Sequence, residues 1–289
     1  MSLTTAQAFD TFQTTISPTD AQRTDITNKR QSTETYLRAA FQSTGTLPLK
    51  RVILIGSAAR GTIIRPVNDL DVMAEFINKD RVFEQYRYNS GAFLQRIRAA
   101  LNANTSIANI GARGQAVRLF YTNGAHVDIA PVFPWNSGGF GLPRGDGGWM
   151  TTDPEAQGSW FTQRRTAVGA NLTPVCKLVR RWNNVHSHRF DSFHLEVMVA
   201  SMFSSLGSNH RDALKSFFEW GYRCINVNDP AGHSGNLGDY LTPAELAAIN
   251  SRLTEALDRA QRAILAEGRG DHLEAKRLWR IELGDEFPS

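Results

Sequence analysis

Two aspartates, Asp69 and Asp71, stand two residues apart at the start of an apolar run that ends at Phe76. On a β-strand, residues two apart point to the same face, so both carboxylates project together while Leu70 and Val72 enter the core. Two carboxylates held this close repel each other unless a cation lies between them. Hard divalent cations prefer oxygen ligands and keep water and substrate phosphates in their other positions. The pattern therefore predicts a metal site, with Mg²⁺ as the expected ion.

A turn with phosphate-binding chemistry precedes this strand. The apolar run Val52 to Ile55 is short enough for a buried strand and breaks at Gly56-Ser57. Gly56 lets the backbone approach a ligand closely. Ser57 and the amides after it can donate hydrogen bonds to phosphate oxygens if residues 58–61 begin a helix. The turn and the aspartate strand together predict a triphosphate cradle beside a metal site.

A third carboxylate is needed for two-metal phosphoryl transfer, and the candidate is Asp128 in HVDIAP. The apolar runs 117–121 and 125–132 are separated by Thr-Asn-Gly at 122–124, which predicts a hairpin. We expect an antiparallel strand beside the first two to bring Asp128 against the aspartate pair. The exposed face of a hairpin is the alternative explanation for a polar residue at this position.

The three elements occur in an order that resembles the nucleotidyltransferase superfamily of the DNA polymerase β type: Gly-Ser, then Asp-x-Asp, then a distant Asp on a strand. More narrowly, the chain resembles the bacterial cyclic-oligonucleotide synthases related to cGAS, the CD-NTases of the anti-phage CBASS systems. The stretch KLVRRW at 177–182, followed by SFHLE at 192–196, resembles a signature of the same family, in which the matching Lys and Ser contact the donor triphosphate. The resemblance covers nearly the whole chain and is strongest at residues 51–76, 125–135 and 172–200.

This resemblance implies a template-independent nucleotidyltransferase that joins nucleoside triphosphates into a cyclic di- or trinucleotide for anti-phage signalling and releases pyrophosphate. Asp69, Asp71 and Asp128 would be the catalytic residues and the ligands of two Mg²⁺ ions, with Mn²⁺ as the alternative. A cyclic-nucleotide-responsive effector would act downstream, and a ubiquitin-like transfer system or another activator protein is a candidate regulator. The residues expected to bind the nucleotide are Gly56, Ser57, Lys177 and Ser192.

Other functions share parts of this pattern. The same core serves enzymes that extend RNA 3′ ends and transferases that adenylylate a protein or small molecule, and a degenerate nucleotide-binding module would keep the fold without activity. No appended RNA-binding module or strong basic run is visible, so the sequence gives no strong nucleic-acid-binding signal. Taken alone, Lys177 would be a solvated helix residue and Ser192 a helix N-cap.

The strands and helices predicted from the sequence indicate an α+β fold with a central mixed sheet and helices packed on it. The strands cluster after Ile107 instead of alternating with helices, which argues against a Rossmann fold. A long polar helix is predicted to begin after Ser17-Pro18-Thr19 and to run to about Ser43. The resemblance specifies a polymerase β-like core, a C-terminal helical lobe and a long N-terminal helix that braces both. The expected domains are 1–45 (brace), 46–155 (catalytic core) and 156–289 (helical lobe).

A stretch rich in glycine, proline and asparagine, residues 133–148, is predicted to be a loop. Trp135, Phe140 and Trp149 in or beside it are expected to pin the loop to the core, with stacking on a base as the alternative.

A carboxylate, Glu196, lies inside a predicted helix that is apolar nearly all round. A buried carboxylate needs a cationic partner, so we expect a structural ion pair with Arg180, Arg181 or Arg223 in preference to a catalytic role.

Composition sets the remaining bounds. The 289 residues carry a net charge of +4, which suits a phosphate-rich substrate without indicating a long nucleic-acid track. The two cysteines belong to no metal-binding or redox motif, which favours a reducing compartment. The N-terminus has no signal-peptide pattern, and no run approaches the length of a membrane span. We therefore expect a cytoplasmic protein with no membrane partner.

Overall fold

The computed structural model describes residues 3–102, 109–121, 125–187 and 189–289, and of residues 109–113 the backbone. The chain divides into two compact units, each built from separate stretches of sequence. The helical unit comprises residues 1–18, 61–66 and 157–289. The sheet unit comprises residues 19–60 and 67–156.

The sheet unit contains one mixed sheet, as predicted. Its order is β1-β2-β5-β4-β3, with β6 paired to the far end of β5 and β7 paired to β6. The strands alternate between buried and more exposed residues where one face is open, and β2 is buried from Val72 to its end. The strands are β1 Leu49–Leu54, β2 Asp69–Phe76, β3 Asn109–Arg113, β4 Ala116–Phe120, β5 His126–Pro134, β6 Phe140–Pro143 and β7 Trp149–Thr152.

The direction of β5 corrects one expectation. It pairs with β2 in parallel, not antiparallel, while β4 and β5 form the predicted antiparallel pair. A parallel neighbour needs a long crossover, and the chain supplies one through a 3₁₀ segment, Lys79–Gln85, helix α4, Ser90–Asn102, and the β3-β4 pair. The predicted turn at 122–124 lies outside the described residues.

The stretch 133–148 is not a simple loop, because β6 lies within it and pairs with both β5 and β7. Its aromatic residues pin it to the core, as expected. The Trp149 indole Nε1 donates to the carbonyl oxygen of Tyr86 at 3.0 Å. The ring of Trp135 packs edge-on against Phe83, with centroids 5.1 Å apart.

Helix α2, Asp20–Ala40, is the long N-terminal helix predicted from the sequence. It begins with a capping box, in which the Thr19 hydroxyl accepts from the Gln22 backbone N–H and the Gln22 side chain accepts from the Thr19 N–H. It belongs to the sheet unit, together with α3, Gly56–Arg60. Its role as a brace stays a prediction.

The helical unit has an apolar core to which the N-terminal helix contributes. Phe9 lies edge-on to Trp279 and Phe287, with centroids 5.1 and 5.0 Å apart, so α1 is tied to the end of the chain. The helices of this unit are α1 Thr5–Ile16, all but the first three residues of α5 Pro154–Val168, α6 Leu172–Val185, α7 Ser192–Met202, α8 His210–Trp220, α9 Pro243–Gly268 and α10 His272–Leu283.

A six-residue segment, 61–66, packs in the helical unit although the residues on both sides of it belong to the sheet unit. The hydroxyl of Thr62 donates to the Glu196 carboxylate at 2.6 Å, and both side chains are buried. Ile64 joins the apolar core. Arg180 lies 3.5 Å from Glu196, which confirms the predicted structural ion pair.

None of the helices in the described part of the chain combines the length and the apolar character that crossing a bilayer requires.

Candidate active site

Three aspartates come to one face of the sheet at neighbouring positions. On β2, Leu70 and Val72 are buried, so Asp69 and Asp71 share the opposite face. Asp71 and Asp128 are direct partners in the parallel β2-β5 register. Side chains at paired positions of adjacent strands point to the same face, with strands about 4.8 Å apart. The site is therefore a compact group of carboxylates at the start of two adjacent strands.

Arg118 on β4 faces this group and binds its third member. Its Nε lies 2.6 Å from Asp128 Oδ1 and its Nη2 lies 2.5 Å from Oδ2, a two-pronged ion pair. The two side chains are only 17% and 18% exposed. Hydrogen bonding to Asp128 holds the pKa of Arg118 above its ordinary value, and the charges of Asp69 and Asp71 act in the same direction. Arg118 thus interacts electrostatically with all three carboxylates.

Sequence reasoning missed Arg118, although a signal was present. In the observed register, Phe120 pairs with His126 and Arg118 pairs with Asp128. The turn predicted from the sequence at residues 122–124 would give that register, because residues equally far from the middle of a hairpin turn face each other. From that register, the sequence would have predicted that Arg118 lies beside Asp128, a candidate metal ligand.

The Gly-Ser turn reaches the aspartate strand directly. The Ile55 N–H donates to the Asp71 carbonyl oxygen at 2.9 Å, and Gly56 follows with a φ of 65°. A Cβ added at Gly56 would lie 2.5 Å from Asp71 Oδ2, so only glycine leaves room for that carboxylate. Ser57 is the second residue of α3, which confirms the predicted turn from strand into helix.

The donor set fits a divalent cation chemically, because it consists of three carboxylates on one face. Among the described residues, no three or more His, Cys, Asp or Glu side chains form a group ready to hold a metal ion. Arg118 binds both carboxylate oxygens of Asp128.

Lys177 and Ser192 lie in the helical unit. The Lys177 Nζ donates to the Ser17 hydroxyl at 3.0 Å. Ser192 is the first residue of α7, and Asp191 is its N-cap, so Ser192 is not the cap itself. Both side chains are half-buried.

A hydrogen-bonded chain supports the start of α7. The Asp191 N–H donates to the Tyr240 hydroxyl at 2.8 Å, and the Tyr240 hydroxyl lies 3.1 Å from His194 Nδ1. His194 Nε2 lies 2.7 Å from the Ile225 carbonyl oxygen, which can only accept, so Nε2 carries the proton. Burial lowers the pKa of His194 and raises the pKa of Tyr240 to about 12. A neutral imidazole therefore fixes the tyrosine that holds the helix start.

Comparison with known proteins gives one family match and several relatives. Residues 1–165 match the Second Messenger Oligonucleotide or Dinucleotide Synthetase domain. A probable cyclic nucleotide synthase from Bacillus cereus (strain VD146) is 27% identical over 277 residues, which cover 83% of each chain.

Solved structures match over nearly the full length. Escherichia coli MS115-1 CdnC, solved with ATP and in a complex with HORMA-deltaN, has a TM-score of 0.79 at 19% identity, covering 99% of this chain and 98% of that one. The Vibrio cholerae cyclic AMP-GMP synthase DncV has a TM-score of 0.76 at 15% identity, covering 95% and 93%. At these identities the two structures establish a shared fold.

Proposed function

The chain belongs to the Second Messenger Oligonucleotide or Dinucleotide Synthetase family, and on that premise we propose that it joins nucleoside triphosphates into a cyclic di- or trinucleotide messenger of anti-phage defence. The observation that carries this proposal is the group of Asp69, Asp71 and Asp128 beside the Gly56 turn. A relative is named a probable cyclic nucleotide synthase, and one structural neighbour is a cyclic AMP-GMP synthase. Both names support a product in which phosphodiester bonds form and pyrophosphate leaves.

The three aspartates would hold two divalent ions, Mg²⁺ or alternatively Mn²⁺. When bound, such ions stabilise the charge on the attacking and leaving oxygens of an in-line displacement. Asp128 would accept the proton of the attacking ribose hydroxyl once its oxygens are released from Arg118. Asp69 and Asp71 share a face of β2, so that strand would fix the spacing of the ligands.

Four residues are proposed to contact the donor triphosphate. Ser57, with the backbone of the Gly56 turn, would donate hydrogen bonds to phosphate oxygens. Lys177 would supply a point charge, and Ser192 would supply a hydroxyl at the start of α7. These assignments rest on residue chemistry and on the match to the family signature.

Nucleoside triphosphates are the expected substrates, since the CdnC neighbour is solved with ATP. The same neighbour is solved in a complex with HORMA-deltaN, which supports a protein activator for this chain as well. A ubiquitin-like transfer system is the alternative regulator, and an effector that responds to the cyclic nucleotide would act downstream.

The experiment incubates the purified protein with all four labelled ribonucleoside triphosphates and Mg²⁺, then treats the products with phosphatase and analyses them by mass spectrometry. A phosphatase-resistant cyclic species is expected, absent in Asp71→Asn and present in Asp258→Asn, which changes an exposed carboxylate on α9. Label found instead on added RNA, protein or a small molecule would assign the chain to one of those transferase classes. Nucleotide binding without metal-dependent pyrophosphate release would indicate a degenerate binding module.

A further inference from the structure

The Arg118–Asp128 pair occupies the oxygens that the proposed site needs. A guanidinium presents a planar fork that matches a carboxylate, and here two of its nitrogens each contact one oxygen of Asp128. Both side chains are more than four-fifths buried, so water screens the pair weakly. An arginine keeps its charge at any working pH and cannot ligate a metal. While this pair persists, Asp128 has no oxygen free of a charged partner.

The burial pattern of β4 shows which face of the sheet Arg118 occupies. On β4 its neighbours Val117 and Leu119 are fully buried, so Arg118 points to the opposite face, which the carboxylates share. Its charge interacts with Asp69 and Asp71 as well as with Asp128. Like charges at strand spacing repel, and a cation beside them offsets the repulsion.

We propose that Arg118 is the counter-ion of the carboxylate group in the metal-free protein, and that a divalent cation must displace it from Asp128 to complete the site. This inference rests on the proposed metal site. Arg118 is a positioning residue, because it acts through Asp128. Its competition lowers the apparent affinity for the metal, and it keeps Asp128 pointed at the site until the metal arrives.

The first test is a titration with Mn²⁺ alone, followed by the loss of the free-ion signal in electron paramagnetic resonance. Arg118→Gln removes the charge that competes for the Asp128 oxygens, so Mn²⁺ should bind about tenfold more tightly, equivalent to about 1.4 kcal/mol. Arg118→Lys keeps the charge without the fork and should give an intermediate affinity.

The second test is thermal unfolding in EDTA and in Mn²⁺. Arg118→Gln should unfold at a lower temperature than the wild type in EDTA, and Mn²⁺ should raise its midpoint more than it raises that of the wild type. The matched control is Arg51→Gln, which breaks ion pairs with Glu75 and Glu155 elsewhere in the sheet unit. That variant should lose stability equally with and without Mn²⁺ and keep the wild-type affinity.

The outcomes separate this inference from the proposed function. Unchanged or weaker Mn²⁺ binding by Arg118→Gln, in a protein whose wild type binds Mn²⁺ through Asp71, would overturn the counter-ion role and leave the metal site standing. Failure of the wild type to bind Mn²⁺ any better than Asp71→Asn would overturn both. If Arg118→Gln does not fold, the comparison of Arg118→Lys with the wild type decides by the same affinity measurement.

Discussion

Replacing Gly56 by alanine should damage the site far more than it damages the fold. The added Cβ would lie 2.5 Å from Asp71 Oδ2, whereas ordinary contacts begin at 3.4 Å. Either the turn or the carboxylate must therefore move by about 1 Å. Displacement of this size at a reacting centre costs about 100-fold in rate, or about 2.7 kcal/mol of activation free energy.

The stability effect of this substitution can be separated with a second glycine. Gly61 lies just past the other end of α3 and also has a positive φ, 74°, but among the described residues an added Cβ there meets nothing within 4 Å. Alanine in this conformation costs about 1–2 kcal/mol at either position. The two variants should therefore have similar unfolding free energies and very different activities.

The assay compares pyrophosphate release by the wild type, Gly56→Ala and Gly61→Ala with Mg²⁺ and the four nucleoside triphosphates, alongside urea unfolding of each protein. The rate of pyrophosphate release by Gly61→Ala should stay within about threefold of the wild-type rate, which corresponds to about 0.7 kcal/mol of activation free energy. If Gly56→Ala is as active as Gly61→Ala, the close approach of the turn to Asp71 has no role in turnover. If both variants lose activity equally, backbone strain explains the loss.

Three further predictions concern the aspartates, Lys177 and His194. Asp71→Asn and Asp128→Asn should each lower pyrophosphate release at least about 1,000-fold while circular dichroism stays unchanged, and appreciable activity in the double variant would contradict their role as metal ligands. Lys177→Ala should raise the KM for nucleoside triphosphate about tenfold, whereas Ser17→Ala, which removes one hydrogen-bond partner of Lys177, should not; equal KM values would place Lys177 outside the nucleotide site. Because burial lowers the pKa of His194, the unfolded chain takes up its proton first as the pH falls below about 6.5, so the unfolding free energy should decrease there by at most about 1.4 kcal/mol per pH unit. Urea unfolding between about pH 7 and pH 5 should show a flatter dependence for His194→Gln, and an unchanged slope would exclude the histidine as its source.

The aspartates could be located from the sequence because their pattern is local. The two-residue period that places Asp69 and Asp71 on one face depends only on the strand that contains them. The hairpin signal that carries Asp128 is also local, and the β4-β5 pair confirms it. Arg118 lies in that same hairpin, so the register that pairs it with Asp128 was within reach of the same reasoning.

The remaining features depend on distant parts of the chain. Whether β5 runs parallel or antiparallel to β2 is decided by the route of the crossover and leaves no mark in the strand itself. The composition of 133–148 is typical of a loop, yet β6 forms there because β5 and β7 pair with it on both sides. Gly141 in β6 is required by packing, since an added Cβ would meet the Trp135 ring at 2.0 Å. Tertiary contact of this kind overrides local propensity.

The segment 61–66 constrains the number of residues between Ser57 and Asp69. Loops ordinarily tolerate insertions, because few of their groups are buried. This one has Thr62 and Ile64 buried in the helical unit, while the chain enters it from the Gly-Ser turn and leaves it toward the aspartate strand. An added or deleted residue would displace either the buried side chains of this segment or the aspartate strand that follows it. Relatives of this chain should therefore keep the same number of residues between the Gly-Ser turn and the aspartate strand.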